Sequence, residues 1–191
     1  MRGVRNDDRL EGGHRTSLID VHMHVLEGDT EAPVHKAFQP GIGPFGEPQL
    51  VRELRDRLAK QGLPAKTYRT PDLGIGSEWA LEFKIVRPFG DNGKEAENWS
   101  VNLLHPYEGN TSLVGDGMKL RRLDGFTNKG LVVVGYEHEP VKIRLEPLIR
   151  SFELIARNVA GLLLGDAIEE RRSLLVHPEH QVLRCIGWQL L

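Results

Sequence analysis

A period-two pattern of polarity runs through Trp79-Ala80-Leu81-Glu82-Phe83-Lys84-Ile85-Val86-Arg87. The odd-numbered positions up to Ile85 are all apolar, whereas the even-numbered positions include Glu82 and Lys84. Because successive side chains of a β-strand point to opposite faces, the pattern predicts a strand with one fully apolar face. Glu82 and Lys84, two residues apart, share the other face of this strand.

Helix and strand patterns extend on both sides of this segment. Upstream, four leucines and valines recur at helical spacing from about Glu47 to the breaker Gly62-Leu63-Pro64, which predicts a helix. The predicted order is helix, three strands, helix, strand, helix, strand, which is the order of an α/β domain. The other strands are predicted at Lys66–Tyr68, Thr70–Gly76, Lys129–Tyr136 and Gln181–Leu191, and the other helices at Thr111–Leu123, capped by Asn110, and Leu145–Leu164.

Composition limits the classes of protein that fit. The 191 residues suit one main domain, at 39–191, after an N-terminal extension at 1–38 that we expect to be partly mobile. The net charge of -2 provides no global basic field, so contact with nucleic acid would have to be local. A single cysteine, Cys185, excludes an intrachain disulfide, and no apolar run is long enough to span a bilayer. We therefore expect a cytoplasmic protein with no membrane partner.

Two short motifs carry the chemistry. Pro71-Asp72 is followed ten residues later by Glu82-Phe83-Lys84, and pairing of the two strands would bring both carboxylates and the lysine together. Two carboxylates can hold a hard divalent cation such as Mg²⁺, which lowers the pKa of its bound water and polarises phosphorus. A lysine beside them can orient the attacking water or neutralise developing charge. Two carboxylates, a divalent cation and a lysine are the groups needed to hydrolyse a phosphodiester bond.

Pro71-Asp72 with Glu82-Phe83-Lys84 resembles the signature of the PD-(D/E)xK nuclease superfamily. The resemblance implies a restriction-endonuclease-like core, in which a central mixed β-sheet is flanked by helices on both faces, across residues 39–191. It implies a DNA nuclease that uses Mg²⁺, for which Mn²⁺ can substitute, with Asp72, Glu82 and Lys84 as catalytic residues. Asp72 and Glu82 would be metal ligands, and Glu47, at the start of the first helix, would be a third acid. Endonuclease and exonuclease activity, and DNA and RNA, stay open.

Local basic residues are the candidates for contact with nucleic acid. Lys119 and Arg122 lie opposite the apolar stripe of the second predicted helix, where they can touch phosphates or form an ordinary solvated face. A polar and aromatic loop around Glu97, Asn98 and Trp99 follows the motif strand. Loops beside a rigid sheet are suited to selecting a substrate.

Other readings remain open. Asp20-Val21-His22-Met23-His24 resembles the D-x-H-x-H motif of amidohydrolases, which implies a metal hydrolase using His22 and His24, but that family has a (β/α)₈ barrel of about 250 residues. We predict that these histidines hold no structural metal. The run 41–46 matches G-x-G-x-x-G without a clear strand before it. A non-catalytic binding or structural module with the same fold, in a homodimer or a larger complex, is the main alternative.

Overall fold

The computed structural model describes residues 46–90, 93–107, 109–175, 177 and 179–191 of the chain. His22, His24 and most of the glycine-rich run at 41–46 lie outside these residues. The described part contains one mixed β-sheet and four helices. In chain order the elements are α1 (Glu47–Lys60), β1 (Ala65–Thr67), β2 (Leu73–Ile75), β3 (Trp79–Val86), α2 (Val101–Leu104), α3 (Leu113–Arg121), β4 (Asn128–Glu137), α4 (Glu146–Asn158), β5 (Ile168–Arg172) and β6 (Val182–Leu190).

The six strands lie in the order β1-β2-β3-β4-β6-β5. β3 and β4 are parallel and central, and every other neighbouring pair is antiparallel. The β2–β3 pairing covers only Leu73 opposite Leu81, Gly74 opposite Ala80 and Ile75 opposite Trp79. Beyond Leu81, β4 is therefore the one neighbour of β3 among the strands that the structure describes. The predicted pairing of the motif strand with the segment next to Asp72 is confirmed.

Helices cover both faces of the sheet. The apolar side of β3 packs on the buried face of α1, in a core that also takes Val132 and Val134 from β4. On the other face, α2, α3 and α4 pack against residues such as Leu131, Val133 and Trp188. Glu82 and Lys84 belong to this second face, so two charged side chains are set into the core beneath α3. In the described part of the chain, no helix combines the length and the apolar character that crossing a membrane requires.

Two predicted helix boundaries were wrong, and two elements were missed. Helix α3 is capped by the Ser112 side chain, which accepts a hydrogen bond from the Gly115 amide at 3.1 Å, rather than by Asn110. The long helix ends at Asn158, and the chain turns at Gly161, whose φ is +63°, rather than at Gly165. The short helix α2 and the strand β5 were not predicted. The α2 segment has only 4 residues, too few to show a period, and the β5 sequence is mostly charged, although it pairs with β6 along its length.

Gly135, in the middle of β4, is a position where packing admits no side chain. A Cβ placed there would lie 2.4 Å from Cδ1 of Leu145, well inside van der Waals contact. We expect Gly135→Ala to lower the free energy of unfolding by about 1–3 kcal/mol, the usual cost of overpacking a core. Urea unfolding would measure this, with Gly165→Ala as the control because its added Cβ meets nothing closer than 3.5 Å. Equal stability of the two variants would contradict the close packing of β4 on Leu145.

Candidate active site

The site begins where β2 stops and leaves one edge of β3 open. The amides of Phe83 and Ile85 both point to that edge, because they are two residues apart on a strand. Asp72, just before β2, accepts from the Phe83 amide at 2.8 Å, and Glu47, the first residue of α1, accepts from the Ile85 amide at 3.1 Å. Two carboxylates thus replace the missing strand neighbour, and satisfying these amides fixes both acids beside β3.

Glu82 projects from the same stretch of β3 and is only 4% exposed. Burial, followed by the nearby charges of Asp72 and Asp116 and a hydrogen bond with Asp72, raises the pKa of the Glu82 carboxyl to about 9. Lys84 acts in the opposite direction but does not outweigh them. At neutral pH Glu82 therefore keeps its proton, and this carboxyl and that of Asp72 share a hydrogen bond instead of repelling each other.

Lys84 is held between carboxylates from two helices. Its Nζ lies 3.1 Å from Oδ2 of Asp116 on α3 and 3.4 Å from Oε1 of Glu47 on α1. Burial alone would lower the pKa of the Lys84 ammonium, but the charges of Glu47 and Asp116 outweigh it and raise this pKa. Burial also raises the pKa of the Glu47 carboxyl, against the opposing effect of Lys84. The lysine is therefore a fixed, charged group at the centre of four acids.

Asp116 is the member of this cluster that we did not predict. It is 7% exposed, and its second oxygen lies 2.8 Å from Nζ of Lys119, whose ammonium also donates to the carbonyl of Asn110. A signal was present in the sequence, since Asp116 falls on the buried stripe of α3 between Leu113 and Leu120. A carboxylate on the core side of a helix needs a cationic partner, and Lys84 is that partner.

The structure brings together Glu47, Asp72, Glu82 and Lys84, the residues proposed from the sequence for catalysis and metal binding. The two predicted phosphate contacts lie further along α3 and outside this cluster. Lys119 is bound to Asp116 and keeps a side-chain exposure of 40%, and Arg122 is the exposed C-cap residue of α3. The role of both residues therefore rests on charge and position.

Asp72 and Glu82 are the two acids of this cluster that would hold a cation. Among the described residues, no three or more His, Cys, Asp or Glu side chains are grouped so as to cage a metal ion. Mg²⁺ seldom needs such a cage, because it keeps several waters and commonly uses one or two protein carboxylates together with substrate phosphate. Asp72 and Glu82, which share a hydrogen bond, provide such a pair once Glu82 releases its proton.

Two clefts open on either side of Glu47. One, of about 390 Å³, lies between Glu47 and Ile85 on one wall and Phe89 and Trp99 on another. The second, of about 300 Å³, is bounded by Glu47, Asp72 and Tyr68 among others. Glu47 therefore lines two clefts, each of which also has at least one aromatic side chain in its lining.

Comparison of the chain with protein-family models, with curated protein sequences and with solved structures gives no significant match. The case for a function is consequently made from the residues of the site.

Proposed function

We propose that this protein is a Mg²⁺-dependent nuclease that hydrolyses phosphodiester bonds of DNA and has a restriction-endonuclease-like core. The observation that supports it most is the meeting of Asp72, Glu82 and Lys84 at the open edge of β3, with Glu47 beside them. These residues come from three separate parts of the chain, namely the start of α1, the segment before β2, and β3. The element order and the mixed sheet with helices on both faces are compatible with that core.

In this proposal each residue has a role set by its chemistry. Asp72 and Glu82 would hold the cation, with Glu47 as an additional acid. Mg²⁺ held there would supply a water of lowered pKa and an electrophile for the phosphate oxygen. Lys84, which has no lone pair to offer a metal, carries positive charge toward the attacking water or the developing phosphorane. Lys119 and Arg122 would contact phosphates through their positive charge.

The direct test is cleavage of plasmid and of single- and double-stranded oligonucleotides by the purified chain. We expect cleavage with Mg²⁺ or Mn²⁺ and none after chelation. Asp72→Asn should abolish metal-dependent cleavage while the protein stays folded, because Asn can still accept from the Phe83 amide. Absence of cleavage over varied substrates and both metals would remove the proposed activity.

A binding module without turnover is the second candidate. One feature of the cluster favours it. The positive charge of Lys84 and the proton kept by Glu82 already offset the negative charge of the acids without a metal. In that case the parent protein would bind nucleic acid with the same affinity in chelator and in Mg²⁺. Calorimetric titration of the protein with Mg²⁺, beside the binding assay, separates the two candidates.

Asp116→Asn is expected to slow turnover through Lys84. The variant loses the charge at 3.1 Å that holds the ammonium, so Lys84 would no longer be fixed against the reacting phosphate. We expect a loss of about 10–100-fold at saturating Mg²⁺, the usual scale for removing a supporting residue. Asp124→Asn, an exposed acid beyond the end of α3, is the matched control. In a Lys84→Met background Asp116→Asn should cost nothing further, and a full additional loss there would contradict the positioning role.

A further inference from the structure

We infer that the cleft between Glu47 and Trp99 is a binding site for a nucleobase of the strand that is cut. This inference rests on the proposed nuclease function and names how that site would hold its substrate. The cleft shares Glu47 with the carboxylate cluster, and Glu47 lies 3.4 Å from Nζ of Lys84. A group seated in the cleft would therefore be an immediate neighbour of the phosphate at Lys84.

The chemistry of the cleft wall suits a base better than an apolar ligand. Trp99 and Phe89 provide aromatic surface, and stacking of a base on an aromatic side chain is sequence-tolerant. Asn102 offers an amide with both donor and acceptor groups, and Glu97 offers acceptors, which are the groups that hydrogen-bond to base edges. A volume of about 390 Å³ is near the lower end of the usual range for ligand pockets, which suits one small group such as a single base.

The back wall of the cleft is fixed before any ligand arrives. The Phe89 ring meets the edge of His138 at a centroid distance of 4.4 Å, and Nζ of Lys142 lies 5.3 Å from the ring centroid. His138 is itself held by Glu179, with 2.6 Å between Nε2 and Oε2. A ring clamped in this way keeps its orientation, so a base entering the cleft would lose less binding energy to ordering the wall.

The loop that carries Trp99 is also closed by its own backbone. The amide of Gly90 donates to the carbonyl of Lys94 at 2.8 Å, and the amide of Ala96 donates to that of Pro88 at 2.8 Å. Phe89 and Glu95 form an isolated antiparallel bridge between these bonds. These bonds fix the turn that precedes Trp99. A base stacked on Trp99 would extend the aromatic surface beside Glu47.

A base in this cleft has to come from single-stranded or locally unpaired nucleic acid. Bases inside a duplex are stacked on their neighbours, and extruding one costs a few kcal/mol. The same protein should thus bind a single-stranded oligonucleotide more tightly than a blunt duplex of the same sequence. The preference is a consequence of the cleft and is not required by the carboxylate cluster alone.

Tryptophan fluorescence gives a direct test, because Trp79 and Trp188 are 4% and 0% exposed whereas Trp99 is partly exposed. Adenosine monophosphate and thymidine monophosphate, titrated in Ca²⁺, should quench the emission of the parent protein. Deoxyribose 5-phosphate, which lacks the base, should not, and Trp99→Phe should remove most of the response. Equal quenching by the base-free phosphate would overturn the inference.

Binding of oligonucleotides completes the test. Trp99→Leu should weaken binding of a single-stranded oligonucleotide by about tenfold or more, since a base–aromatic stack contributes about 1–3 kcal/mol. Tyr107→Leu is the control, because Tyr107 is 72% exposed and lies outside the cleft lining. Unchanged affinity of the Trp99 variant, in a protein that does cleave DNA, would overturn the base site alone. Binding that depends on Trp99 without cleavage in Mg²⁺ would overturn the nuclease activity and leave the base site standing.

Discussion

Lys84→Met should lower turnover of DNA by about 10²–10³-fold while Mg²⁺ binding is retained, the scale seen when one charge-stabilising donor is removed from an active site. Methionine keeps an unbranched apolar side chain on the face of the sheet under α3 and removes the ammonium. The ammonium nitrogen lies 3.1 Å from Asp116 and 3.4 Å from Glu47. Because an ammonium contributes no ligand to a metal, the loss should appear in turnover at saturating Mg²⁺. Single-turnover cleavage and calorimetric titration of Mg²⁺ measure the two quantities separately.

Lys119→Met is the matched control for this prediction. Lys119 touches the same carboxylate, Asp116, at 2.8 Å, but its side chain is 40% exposed, whereas that of Lys84 is 11% exposed. An ion pair that is open to solvent contributes up to about 1 kcal/mol, so turnover at saturating DNA should change by no more than about fivefold. Turnover of the Lys84 variant at the parent level, or an equal loss in both variants, would remove the role assigned to Lys84.

Glu82→Gln should stabilise the fold at neutral pH while it abolishes metal-dependent cleavage. In the unfolded chain the Glu82 carboxyl has the ordinary pKa of 4.5, whereas in the folded protein burial and neighbouring acids raise it to about 9. Between those two values the folded state binds more protons than the unfolded state, so stability falls as the pH rises. At pH 7 this contribution costs up to about 3 kcal/mol. Glutamine stays neutral at every pH and can still donate to Asp72.

The pH dependence identifies this effect. The difference in free energy of unfolding between Glu82→Gln and the parent should be small below about pH 4.5 and should grow as the pH rises toward 9. At pH 7 the variant should gain several degrees in Tm, since about 1 kcal/mol corresponds to about 2–4 °C in a chain of this size. Glu139→Gln, an exposed acid near the end of β4, should show no such trend. A constant difference across this pH range would mean that Glu82 is ionised in the folded protein.

The alternation of residues 79–87 was sufficient to predict β3 and to place Glu82 and Lys84 on one side of it. That inference depends only on the period of a strand, which is a local property of the backbone. The first helix was predicted for the same reason, because its apolar residues repeat every three to four positions and Gly62 ends it. Strand β5 is mostly charged in sequence and carries no such period, so it was missed.

Placing the acids next to one another required the tertiary structure. The sequence alone predicted that Asp72 would approach Glu82 if two strands paired. The binding of the Phe83 and Ile85 amides by carboxylates, however, depends on the β2–β3 pairing stopping at Leu73 opposite Leu81. Asp116 reaches Lys84 only because α3 crosses the face of β3 that carries the lysine. The raised pKa of Glu82 also depends on the tertiary structure, because packing against the sheet buries its carboxyl. Spacing along the chain determined which side chains share a face, whereas strand length and helix packing decided which faces meet, because those depend on contacts between distant segments.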